Sequence, residues 1–190
     1  GKNYIAQNWN INKFTNNKYE DLKLNENPQP IIDQRDYKIS PLSACNNETT
    51  SDRLVFFENE LDFQFFNTSN YKKIYCILLA NDERQVKLGS KVLDYKKNLI
   101  KNQIQNTGLK IEFIEGNKFI ELSNKDKDFD IVYPSIGENM SFLKRVIKKN
   151  NLNINYLIRE EDNYCWQFSN KGYFNFKSKI PKILSQFKFN

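Results

Sequence analysis

Residues 90–122 read SKVLDYKKNLIKNQIQNTGLKIEFIEGNKFIEL. Val92, Leu93, Leu99, Ile100 and Ile104 recur at helical spacing. Ser90 offers a cap, and Gly108 is the residue type that ends a helix with positive φ, so the pattern predicts a helix over 90–106. Leu109, Ile111 and Phe113 then alternate with Lys110 and Glu112. Glu115-Gly116-Asn117 reads as a turn and Phe119, Ile120 and Leu122 as a returning strand, which makes 109–122 an expected β-hairpin. A helix, a longer helix, a glycine and a hairpin come in the order of a winged helix, with the hairpin as the wing.

Working upstream, Tyr71–Ala80 is a compact apolar run. Leu54–Phe57 with Leu61, Phe63, Phe65 and Phe66 suits a helix capped by Ser51 or Asp52, while the alternation at 61, 63 and 65 suits a strand; the type stays open. Residues 1–50 hold Pro28, Pro30, Pro41 and several Asn pairs and read as an irregular arm or linker. Downstream, Ser123–Asp130 packs five charges into eight positions and reads as a junction. A second unit repeats the order: an apolar run at Ile131–Ile136, a helix at Ser141–Lys149 and extended chain from Asn153 to Ile158. A turn at 159–163, strands at Tyr164–Phe168 and Tyr173–Phe176, and a helix over Ser178–Phe187 with Pro181 in its first turn complete it. The expected fold is therefore α+β, a tandem winged helix-turn-helix, with an arm over 1–50, a first domain over 51–125 and a second over 126–190.

Composition limits the chemistry. With 39% hydrophobic residues, 15 Phe and 10 Tyr in 190 residues, the chain carries enough apolar surface to build a core. It has no His, which removes the commonest general base and the commonest zinc ligand. Cys45, Cys76 and Cys165 are widely spaced and suggest reduced thiols in an intracellular protein. No apolar run is long enough for a membrane span and no leader is legible, although the opening Gly1-Lys2-Asn3, with Met140 the one Met, suggests a cloned fragment.

Charge is uneven: residues 1–70 carry 7 basic and 10 acidic side chains, a net of −3, and 71–190 carry 22 and 13, a net of +9. Basic residues near aromatics suit nucleic acid, since phosphates draw Lys and exposed rings stack on bases. The candidates are Lys87, Lys91, Lys96, Lys97, Lys101, Lys110 and Lys118. Tyr164 and Trp166 in the expected late hairpin are candidates for a partner-binding surface. A histidine-free nuclease would need carboxylates and Mg²⁺. Asp126, Asp128 and Asp130 alternate on a polar junction and lack a calcium-loop pattern, and Glu160-Glu161-Asp162 sits in an expected turn. No glycine-rich phosphate loop occurs. The reading is a binding protein, not an enzyme, with no catalytic residues, metal, cofactor or small-molecule substrate.

The Ser90-Lys91-Val92 helix start, the Gly108-Leu109 step and Asn124-Lys125-Asp126-Lys127-Asp128-Phe129 resemble the first C-terminal winged helix of the Stn subunit of the telomere-capping CST complex. About 40 of the 190 residues carry the likeness. The resemblance implies a nuclear telomere-maintenance protein, in a ciliate version telomerase-associated, that docks other subunits of a CST-like or telomerase complex. Contact with single-stranded DNA would be secondary, and no membrane is involved. Asp130–Ile158 also looks like the βαβ core of the anticodon-binding domain of class II tRNA synthetases, with Tyr75–Leu79 as first parallel strand. That gives an α/β, tRNA-binding alternative; a metal-dependent nuclease using Asp126, Asp128 or Asp130 ranks third.

Overall fold

The computed structural model describes residues 7–19, 23–24, 47–169 and 172–187. The chain divides into two units, Gly1–Ser40 and Pro41–Asn190. In the first, helix α1 spans Asn8–Thr15 and ends on Asn16 in the left-handed region (φ 51°); Trp9 and Phe14 stand exposed on it. The rest of the arm expected over 1–50 lies outside the described residues, apart from 7, 17–19, 23–24 and 47–50.

The second unit is mixed α/β. Strand β1 (Arg53–Phe57) is followed by β2 (Lys73–Leu78), helix α2 (Ser90–Thr107), β3 (Ile111–Glu115) and α3 (Gly116–Lys125). Then come β4 (Asp128–Val132), α4 (Glu138–Asn150), β5 (Asn153–Leu157), α5 (Glu160–Trp166), α6 (Tyr173–Lys177) and α7 (Ile180–Gln186). The strands form one sheet in the order β3-β2-β1-β4-β5, and its four pairings are all parallel, with Val55 opposite both Tyr75 and Ile131. Strand order reverses between β1 and β4, as in open doubly wound sheets.

Both sheet faces are covered, which is why β1 reads Leu-Val-Phe-Phe without polar alternation. Val55, Phe57, Tyr75, Ile77 and Ile131 pack with Phe119 of α3 and Phe142, Leu143 and Val146 of α4. Leu54, Phe56, Ile74, Cys76 and Leu78 pack with Ile100 of α2 and with Phe63, from a β1–β2 connection that has no helix. Phe56 and Phe63 meet edge to face at 5.0 Å. Placing α2 on one face and α3 and α4 on the other is what right-handed crossovers require when the chain runs outward from β2 to β3 and back to β4.

Neither expected hairpin forms. Residues 111–115 are an edge strand paired in parallel with β2, and 116–125 turn into α3. Phe119, Leu122 and Ser123 recur at i, i+3 and i+4, so a helix buries them on one face as well as a strand buries alternate residues. Residues 160–166 and 173–177 are helices, not strands. Without an antiparallel wing the fold is mixed α/β, with a parallel sheet where the tandem winged helix was expected. The boundary expected at 125/126 falls inside the sheet, because β1 pairs with β4. The α/β alternative anticipated parallel strands, but β1 stands between the two that it placed side by side. Gly108 does close α2 at φ 66°, while Ser90 is its first residue and not its cap.

Candidate binding cleft at the strand-order reversal

At the carboxyl edge of the sheet, β1 runs into Glu58-Asn59-Glu60, β4 into Tyr133–Gly137 and β5 into Ile158-Arg159. Asn59 Nδ2 donates to the Pro134 carbonyl (3.1 Å) and Asn139 Nδ2 donates to Asn59 Oδ1 (2.8 Å), which ties the two loops across the reversal. The β4–α4 loop turns through Ser135 at φ 58° and Gly137 at φ 119°, a conformation that glycine alone adopts freely. Beside this latch opens a cavity of about 420 Å³. Phe66, Val132, Leu157 and Trp166 give it apolar walls, and Asn59, Glu60, Ser135, Arg159, Asp162 and Cys165 line it with polar groups.

Arg159 organises the cavity's charge. Its Nη2 lies 2.8 Å from Glu60 and 3.4 Å from Asp62, and its Nη1 lies 3.6 Å from Asp162. Its guanidinium carbon sits 4.8 Å from the Phe65 ring centroid. Burial disfavours its charge, but the hydrogen bond it donates to Glu60 and the fields of the three carboxylates hold its pKa above the ordinary value. Tyr133 and Trp166 stand at 89° to each other with centroids 6.0 Å apart, so two perpendicular rings make a corner of the cavity.

Beside the cleft, a second charge cluster locks the end of β1. Glu58 is buried, takes the Leu79 amide (3.0 Å) and Lys96 Nζ (2.9 Å), and pairs with buried Arg84. Burial raises its carboxyl pKa, but these partners outweigh burial and the net shift is downward. The Glu138 carboxylate, in the first turn of α4, accepts the Gln85 and Val86 amides at 3.1 and 3.2 Å.

The seven candidate lysines are not brought together. Lys96 serves Glu58, and Lys97 lines a small cavity with Asp94 and Glu115. Lys118 pairs with Glu121 on α3, across the sheet from α2. Lys87 precedes α2 at the carboxyl edge, Lys110 precedes β3 at the opposite edge, and Lys91 and Lys101 are exposed on α2. Tyr164 packs edge to face against Phe168 and Phe187, and Trp166 lines the cleft.

The three junction aspartates separate. Asp126 pairs with Arg53 (2.8 Å) and Asp128 accepts from Asn153 (2.9 Å). Asp130 is fully buried beneath Thr50, Ser51, Tyr71 and Asn155. Among the described residues no group of three His, Cys, Asp or Glu side chains is placed to hold a metal ion, and no helix is long and apolar enough to cross a membrane.

Fold and cleft together define an open parallel α/β protein with a recess of mixed apolar and polar lining at the carboxyl ends of β1, β4 and β5. No family model, curated protein or solved structure matches the chain. Sequence reasoning missed Arg159 and Glu60, which no local motif marks; it reached Trp166 only as one aromatic of a supposed hairpin.

Proposed function

We propose that the chain is a ligand-binding α/β domain that takes a small molecule in the cleft at the strand-order reversal. The observation that carries this is the cavity's position and lining. It opens where doubly wound sheets bind ligands, and it combines apolar walls with a few convergent polar groups. The proposal replaces the expectation of no small-molecule substrate. It is tested with the Trp9→Phe variant, in which Trp166 is the remaining Trp. A saturable change in Trp166 emission on titration with small molecules is expected. Weakening of that binding by Glu60→Gln with the circular dichroism spectrum unchanged supports the site, and unaltered binding in Glu60→Gln counts against it.

A second reading keeps the chain as a non-catalytic interaction module of a telomere-maintenance complex. Its support is an apolar stripe on α2, where Val92, Tyr95 and Leu99 at i, i+3 and i+7 are 45%, 65% and 41% exposed. The wing expected between the segments that carried the telomere resemblance is absent, and the stripe carries no DNA-specific feature. Loss of binding to purified CST-like subunits on Tyr95→Glu, with the fold retained, is the expected result under this reading.

A further inference from the structure

We propose that the cleft binds an organic cation, an ammonium or guanidinium group carried on an apolar body; this rests on the cleft being a ligand site. Among the described residues its lining brings Glu60 and Asp162 together with a single cation, Arg159, and Asp62 adds a third carboxylate beside that arginine. Arg159 is committed most closely to Glu60. Asp162, at 3.6 Å from Arg159 and 60% exposed, keeps acceptor capacity for an incoming donor.

The features that recognise anions in this architecture are missing or used. The chain after β1 is Glu58-Asn59-Glu60, with no glycine to let a phosphate approach the backbone. The first turn of α4, next to the reversal, holds the Glu138 carboxylate, which adds negative charge where a helix start otherwise favours an anion. The aromatic lining of Phe66, Tyr133, Trp166 and Phe176 completes the case, because ring faces attract cations and cover an apolar body. A ligand that seats its body against Trp166 and its cationic head toward Asp162 uses both halves of the lining.

Three probes of one shape separate the possibilities: phenethylamine, phenethyl alcohol and phenylacetate, each titrated into the Trp9→Phe protein with Trp166 emission as readout. The amine is expected to bind about ten-fold more tightly than the alcohol, and phenylacetate more weakly still. Asp162→Asn is expected to narrow the amine-to-alcohol ratio several-fold, and saturating amine to slow alkylation of Cys165 in a Cys45→Ser background. Equal or tighter binding of the alcohol or phenylacetate overturns the cation assignment and leaves the ligand site standing. No saturation by any probe up to about 20 mM, a range that detects millimolar affinity, overturns both.

Discussion

Asp130→Asn tests whether the carboxylate beneath the sheet is a structural anchor. Asp130 is fully buried in β4 and collects donors from three other segments. Oδ2 accepts from Tyr71 Oη at 2.8 Å, Thr50 N at 3.0 Å and Ser51 N at 3.4 Å, while Oδ1 accepts from Thr50 Oγ1 at 2.6 Å and Asn155 Nδ2 at 3.2 Å. The amide keeps one acceptor oxygen, turns the other position into a donor facing donors, and removes the charge from every remaining bond. Hydrogen bonds to charged groups contribute about 1.5–3 kcal/mol and an orphaned buried group costs a further ~1–3, so a loss of roughly 3–4 kcal/mol follows. For a chain of this size that lowers Tm by roughly 6–16 °C. Urea and thermal unfolding followed by circular dichroism measure it, with Asp128→Asn as control at under about 1 kcal/mol because its carboxylate is exposed. A loss no larger than the control's refutes the argument. A gain in stability refutes it more sharply, because relief of repulsion is the signature of carboxylates gathered for a metal.

Lys96→Glu is expected to destabilise by about 2 kcal/mol or more, because it sets a carboxylate against buried Glu58, whereas Lys101→Glu on the exposed face stays within ~0.5; equal unfolding midpoints would contradict the pairing. The Glu58 carboxyl is held below its ordinary value, so its contribution is present above about pH 4.5 and fades as pH falls through the lowered folded value. Wild type should therefore lose more stability than Glu58→Gln between pH 6 and about pH 3. Tyr71 behaves oppositely: burial, and then Asp130, push its hydroxyl from 10.0 up to about 12. Its contribution is complete below pH 10 and lost as pH rises through about 12, so Tyr71→Phe should start less stable and fall less steeply over that window. Burial, with Glu58 nearby, pushes the Cys76 thiol up to about 12; mass spectrometry after alkylation at neutral pH should find it modified only in unfolded protein.

The long helices were legible because their apolar residues repeat over three turns or more, as in α4, where Met140, Leu143 and Val146 are buried. Even so, Val92 and Leu99 fit the helical spacing of α2 and stand exposed, while Ile100 is buried, so periodicity found the element and misjudged its face. At 116–125 three apolar residues, Phe119, Ile120 and Leu122, satisfied two periods at once, and the local pattern held nothing to choose between them. Tyr164, Trp166 and Phe168 alternate as a strand would, but Tyr164 and Phe168 also sit four apart and meet at 5.4 Å across one helical turn. The cleft was illegible for a different reason. Asn59, Ser135 and Arg159 come from the ends of three strands that only the sheet order makes neighbours.

The place of β1 in the sheet bears on how the chain assembles during synthesis. Among the described strands it is the central one and the first in chain order, and β2 reaches it within twenty residues, since Arg53 pairs with Lys73. Its other edge waits for β4, where Leu54 meets Asp130. Until then β1 presents an unpaired row of backbone groups flanked by Leu, Val and Phe, the kind of edge that joins strands of other chains. β2 and β3 can dock meanwhile without covering it. Arrival of β4 is thus the step that commits the molecule to folding alone, and conditions that slow translation between β1 and β4 lengthen the interval in which self-association competes.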